Sequence, residues 1–241
     1  MKKGTIPMAL GLLLIAAALT LTVYNIYDEN RASKSVNLVL QEIQKSTAAA
    51  EVEKPSGHSL SEIGYDTETI PDYVRFPDME MPESEIDGNN YIGVIDIPCL
   101  GLSLPIISDW SYPNLKIAPC RYKGSAYQDN LIIAGHNYQS HFKSIKQISP
   151  GAAVRFTDSN GNIFDYRVEY LETMDKTQVD QMEAGEWDLT LFTCTYGGQS
   201  RCAVRCRRIR NTAFLHFSSI NFINSEFQLK FQEERNNDSL L

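Results

Sequence analysis

The apolar positions fall into two unlike textures. Lys2 and Lys3 are followed by no charged residue until Asp28, and between them runs IPMALGLLLIAAALTLTVYNIY. About 20 helical residues at 1.5 Å each span the ~30 Å hydrocarbon core of a bilayer. The pattern therefore predicts an N-terminal membrane helix over residues 4–27. The two lysines favour a cytoplasmic N-terminus, with the rest of the chain outside. A cleaved signal peptide is the rival reading, with Ala16-Ala17-Ala18 as a small-residue site. Against it, the apolar run continues past that site through Leu19, Leu21, Val23 and Tyr24.

From Tyr91 onward, short apolar runs alternate with turn residues. Strands are expected near 91–97, 102–107, 130–135, 152–157, 163–171, 188–194 and 201–209. Pro98, Ser149-Pro150-Gly151, Asp158-Ser159-Asn160-Gly161 and Gly197-Gly198 separate them. Many short strands at this spacing predict a mainly β domain, an antiparallel barrel or sandwich. Helical signal is sparse, at 140–148 and 176–184. Between the two textures, residues 31–50 fit a short amphipathic helix, with Val36, Leu40 and Ile43 on one face. Pro55, Gly57, Pro71, Pro77 and Pro82 then punctuate a weakly apolar stretch that reads as a flexible stalk. The expected organisation is an anchor at 1–27, an acidic stalk at 28–90, a β domain at 91–211 and an unassigned extension at 212–241.

Charge supports this division. The chain of 241 residues has a net charge of −8. Residues 28–90 alone hold 14 acidic and 5 basic residues. Residues 91–241 are nearly neutral, with 15 basic and 16 acidic. A net-acidic chain is a poor nucleic-acid binder. No CxxC, HExxH or acidic calcium-loop pattern occurs, so neither a metal nor a cofactor is expected.

Five cysteines are too few for a disulfide scaffold. Cys202 and Cys206 lie about 13 Å apart on one strand and cannot pair. Cys99 and Cys120 sit in loop-like contexts where pairing stays open. Cys194 differs from the rest, because it ends the run Leu189-Thr190-Leu191-Phe192-Thr193 at a strand tip, a rigid place to present a nucleophile. Arg201 opens the next strand after a short connection and falls near it. Arg205 and Arg207 share its face but lie about 13 and 20 Å further along. Arg207, Arg208 and Arg210 read as solvated surface. Among four histidines, His136 follows Leu131-Ile132-Ile133-Ala134-Gly135 and also sits at a strand end. His58 lies in the stalk, His141 in a loop and His216 in the tail.

Ala134-Gly135-His136-Asn137, Thr190-Leu191-Phe192-Thr193-Cys194 and Arg201 together resemble the sortases, membrane-anchored cysteine transpeptidases of Gram-positive cell surfaces. The resemblance covers about residues 91–210 and includes Ile97-Pro98 and Leu104-Pro105-Ile106, similar to the family's early strands. It implies a closed eight-stranded β-barrel with short helices. It also implies catalytic roles for His136, Cys194 and Arg201, with Thr193 and Asn137 touching substrate. The interval from Cys194 to Arg201 is shorter than is common in the family, which keeps Arg205 as the alternative arginine. The implied partners are surface proteins bearing an LPxTG-like sorting signal and an amine of a cell-wall precursor or pilin. The implied place is the cell membrane, with the barrel outside.

The residue types suit that chemistry. A thiolate is the nucleophile, and an unperturbed Cys is only roughly 3% ionised at neutral pH. An imidazole can protonate the departing amine and then deprotonate the incoming one. A guanidinium can hold the developing oxyanion. Two other classes compete. One is another exported cysteine acyltransferase such as an L,D-transpeptidase, whose S-x-G-C-like motif is missing here. The other is a non-catalytic surface module with structural Cys and His.

Overall fold

The computed structural model describes residues 5–52 and 71–210. Helix α1 (Thr5–Val52) and the short α2 (Asp72–Arg75) come first. They are followed by β1 (Ser84–Ile86), β2 (Asn89–Ile97), β3 (Leu102–Ile107) and the single-turn α3 (Tyr112–Leu115). Then come β4 (Cys120–Lys123), β5 (Leu131–Gly135), β6 (Ala153–Asp158) and β7 (Ile163–Asp175). The short α4 (Val179–Glu183), β8 (Leu189–Cys194) and β9 (Ser200–Arg208) complete the series.

The strands follow the order β1-β2-β3-β4-β5-β8-β9-β7-β6, and β6 pairs back onto β2. Strands β2 to β9 therefore close an eight-stranded barrel, with β1 hydrogen-bonded outside it along β2. The expected barrel is present, but it is mixed rather than antiparallel. β3 runs parallel to β4 and β5 parallel to β8. Eight strands leave an interior just wide enough for side chains to fill. Ile95, Leu104, Ile133, Phe156, Leu191 and Val204 are among those that fill it, each buried. Full burial of one such side chain is worth about 1.5–3 kcal/mol.

All seven expected strands form, several with ends within a residue of the expectation. Two were not legible. β1 has three residues in an acidic, proline-punctuated stretch, and β4 is only the four-residue CRYK sequence. The helix expected at 140–148 is a 3-10 turn over Lys143–Gln147. That at 176–184 is the five-residue α4.

The stretch expected as a stalk differs at both ends. Helix α1 does not stop at the charge-free run but continues through it. From Gly11 to Tyr27 it presents apolar side chains to its surroundings, and it contains a segment long and apolar enough to cross a membrane. Beyond Asp28 it lies against the barrel. Ala32, Val36 and Val39 are buried there, and Leu40 and Ile43 are half-buried on the same core. The i, i+4, i+7 spacing that predicts an amphipathic helix thus finds a partner surface, and burial outweighs the polar composition around it. At the other end, Met81 is 3% exposed and β1 joins the sheet. The stalk reading of 53–70, including His58, and the extension 212–241, including His216, lie outside the described residues. A second unit begins at Ile209 and is described only at its first two residues.

Candidate active site

The ends of three neighbouring strands bring the positions of His136, Cys194 and Arg201 to one region of the sheet. β5 and β8 pair in parallel, with Ala134 beside Phe192 and Gly135 beside Thr193. His136 and Cys194 each follow that last rung by one residue. Across the other edge of β8, Cys194 pairs with Arg201 in the final rung of the β8–β9 ladder. Neighbouring strands lie about 4.8 Å apart. Paired residues share one face of the sheet, so the Cys194 thiol and the Arg201 guanidinium rise on one side, next to the end of β5 that leads into His136. All three are half-buried. The alternative, Arg205, pairs with Thr190 four residues down the strand.

That face is the outside of the barrel. Leu189, Leu191 and Thr193 alternate inward, while Thr190, Phe192 and Cys194 alternate outward. Thr193, expected beside the thiol, is therefore on the opposite face. It is 2% exposed, with its Oγ1 buried and unpartnered. Its place beside Cys194 in sequence puts its side chain under the sheet rather than in an open pocket, because successive strand residues face opposite ways. Asn137 is half-buried in the loop after β5.

Local sequence explains both turns that carry the site. The Gly135 position permits no side chain. A Cβ there would meet the Phe142 ring at 2.3 Å. Phe142 is fully buried and its N–H donates to the His136 carbonyl at 3.1 Å, so the loop after β5 folds back beneath His136. The β8–β9 connection is closed by the Thr195 N–H donating to Ser200 O (2.9 Å) and Gly198 N–H donating to Thr195 O (2.9 Å). Gly197 and Gly198 have φ of 80° and 71°, the left-handed region where a side chain is strained. This tight turn accommodates the short Cys194-to-Arg201 interval. The Arg201 Nη1 donates back to Gly198 O and Ser200 O, at 3.3 and 3.2 Å.

Arg205 has a different environment. Its side chain is 2% exposed and all its polar partners are internal. Nε donates to Glu172 at 2.5 Å, Nη1 to Thr190 Oγ1 and Met182 O, and Nη2 to Gln181 O. It ties α4 onto β7, β8 and β9. Arg207 and Arg208, expected as solvated surface, are also engaged. Arg207 stacks over Trp187 and Arg208 over Phe164, and Arg208 pairs with Asp129 at 2.8 Å.

An apolar ledge leads to the thiol. Ile132, Met174, Met182 and Ala203 form a second cluster outside the barrel, flanked by Phe192 and Tyr122. Tyr122 meets Phe192 edge-on at 5.4 Å and Trp110 at 6.0 Å, and Trp110 is 39% exposed. Sequence reasoning missed this ledge because Trp110 and Tyr122 come from a loop and from the unrecognised β4.

Around His136, burial lowers the imidazole pKa, opposed by Asp28 and reinforced by Lys116. The Tyr138 ring stacks on the His136 ring, with centroids 4.3 Å apart and planes 7° apart. His141 is fully buried nearby, and burial, with the neighbouring His136, pushes its pKa down to about 4. The five cysteines are free. Burial pushes the Cys120 and Cys206 thiols up to about 12 and raises that of Cys202. Among the described residues, no group of three or more His, Cys, Asp or Glu is placed to hold a metal ion.

Comparison with known proteins gives one consistent result. Residues 95–209 match the sortase domain family. The chain is 29% identical over 126 residues to sortase A of Bacillus anthracis, covering 49% of this chain and 59% of that protein. The chain thus spans about three fifths of the curated relative it matches. Sortase C1 of Streptococcus agalactiae is a structural neighbour with 26% identity and a TM-score of 0.46, covering 53% of this chain and 72% of that one. Sortase A of Listeria monocytogenes is another, with 20% identity, a TM-score of 0.46 and coverage of 50% and 88%. The sortase-domain match lies over the strands that carry His136, Cys194 and Arg201, so this stretch of the chain is similar to the sortase domain.

Proposed function

We propose that this protein is a cysteine transpeptidase that cleaves an LPxTG-like sorting signal at its Thr carbonyl and transfers the surface protein to an amine. The observation that carries this reading is the placing of His136, Cys194 and Arg201 at the neighbouring ends of β5, β8 and β9. The Cys194 thiolate attacks the Thr carbonyl carbon. Arg201 donates to the oxygen as it gains charge, a contribution worth about 10²–10³ in rate. His136, as imidazolium, gives its proton to the departing Gly amine, and the C–N bond breaks to leave a thioester. An incoming amine then attacks the thioester and loses a proton to neutral His136. The new amide releases the Cys194 thiolate. The ledge of Phe192, Tyr122 and Trp110 suits the Leu-Pro part of the signal, since aromatic faces bind apolar and proline side chains without demanding hydrogen bonds. The acceptor is an amine of a cell-wall peptide precursor or a pilin lysine. Helix α1 crosses the membrane with its N-terminus in the cytoplasm and the barrel outside.

Incubation with an LPxTG-type peptide library and mass spectrometry of the intact protein test the reading. The expected result is an acyl adduct on Cys194, lost in Cys194→Ala and discharged by a small amine. A wild-type protein that forms no such adduct with any member of the library contradicts the proposal.

A further inference from the structure

Where α1 leaves its charge-free run, its first two acidic residues bond to the loop that follows His136. The Tyr138 hydroxyl donates to the Asp28 carboxylate. The backbone N–H of Gln139, the next residue, donates to Glu29 Oε1 at 2.8 Å. These contacts join residues 110 positions apart in sequence. They are made by the end of the apolar segment itself, not by a later turn of the helix. Tyr138 in turn lies flat against the His136 ring. Asp28 is also held by Arg31 at 3.1 Å, one turn further along. Three groups thus stack from the helix to the imidazole: carboxylate, phenol and His136.

We infer that Asp28, at the outer end of the membrane helix, is a positioning residue for His136, acting through the Tyr138 ring. The inference rests on the proposed role of His136 as proton donor and acceptor. Two physical effects follow. The hydrogen bond fixes the Tyr138 ring plane, and the stacked ring restricts rotation of the imidazole, which must point at the Cys194 row. A small misplacement of a reacting group costs a large factor in rate. The Asp28 charge also favours the protonated imidazole, against burial and Lys116. The other titratable groups around His136 are His141 and Tyr138 in its own loop, Cys194 on β8 and Arg201 on β9. Arg31, on α1, partly offsets Asp28. The reaction centre is thereby coupled to the membrane anchor, rather than tethered through a slack stalk.

The test uses the full-length protein in lipid nanodiscs, with wild type, Asp28→Ala, Asp28→Glu, Tyr138→Phe and the Asp28→Ala/Tyr138→Phe double variant. Glu42→Gln serves as a control, since it removes an acidic charge from the same helix, in an exposed pair with Lys45. The readouts are steady-state cleavage of an accepted peptide and titration of the His136 ring by NMR of labelled histidine. Asp28→Ala is expected to lower kcat roughly tenfold with KM changed less than about twofold. It should also move the His136 titration to lower pH. In the Tyr138→Phe background the same substitution should add little, because the two groups act as one unit. Asp28→Glu should restore most of kcat. The inference is overturned if Asp28→Ala leaves both readouts as in wild type, if its effect adds fully to that of Tyr138→Phe, or if Glu42→Gln reproduces it. A wild type without peptide cleavage would instead overturn the proposed function, and the His136 titration would then decide the Asp28 coupling by itself.

Discussion

Cys194 and Arg201 face each other across the last rung of the β8–β9 ladder, joined by a turn that needs two left-handed glycines. Seven positions of sequence separate them, yet the pairing makes them neighbours on one face. His136, on the far side of β8, is 58 positions away and directly follows Gly135, which pairs with Thr193 in the β5–β8 register.

The arginines should separate function from stability. Arg201→Ala and Arg201→Lys should each lower kcat/KM by about 10² or more, since Lys keeps charge but loses the planar fork of donors. Both should melt near the wild-type temperature. Arg205→Ala should do the reverse. It strands Glu172, Thr190 and two carbonyls, and should cost about 2–4 kcal/mol of stability. Fluorogenic peptide cleavage beside thermal melts reads both. A stable but inactive Arg205→Ala, with an active Arg201→Ala, contradicts the assignment.

Thiol accessibility should rank the cysteines. In the folded protein, iodoacetamide should label Cys194 and the exposed Cys99. Cys120, Cys202 and Cys206 should be protected by burial and raised pKa. Peptide mapping after labelling, with and without denaturant, gives the outcome. Labelling of Cys206 at the rate of Cys99 would mean that the barrel opens readily.

Gly135→Ala should disturb the His136 loop. The added methyl meets the Phe142 ring at 2.3 Å, and that ring is fully buried. Overpacking of this kind costs about 1–3 kcal/mol. Activity should fall beyond what stability explains, because Phe142 bonds the His136 carbonyl. Adding Phe142→Leu should recover part of the melting temperature. No recovery would place the strain elsewhere.

Acid should weaken the fold through His141. Its pKa is depressed from 6.5 to about 4 by burial, so the unfolded chain binds the proton first. The folded state is thus fully favoured above about pH 6.5 and loses stability as pH falls toward 4. The loss is about 2–3 kcal/mol between pH 7.5 and 4.5. His141→Gln should flatten that dependence in melts of the nanodisc-held protein, whatever it does to stability at pH 7.5. An unchanged slope would show that other groups carry the acid sensitivity.

The features that follow from the chain alone are local ones. The charge-free run before Asp28, the seven strands and the Cys194 strand tip were all legible, because period and turn residues act within a few positions. The β8–β9 hairpin belongs here too, since Gly197-Gly198 allows a short return. Tertiary structure decided the rest. No pattern in Leu131–Gly135 says that it lies parallel to Leu189–Cys194, and that pairing carries the residue before His136 alongside the residue before Cys194. Whether Thr193 faced inward or outward depended on which side of β8 the barrel closed. The difference between Arg201 and Arg205 depended on α4 folding over the lower end of β9. The contact of Asp28 with Tyr138 required α1 to lie down on the barrel. Such contacts join segments tens of residues apart. Burial against a distant surface, not the period of the segment itself, selects among the faces that the local pattern allows.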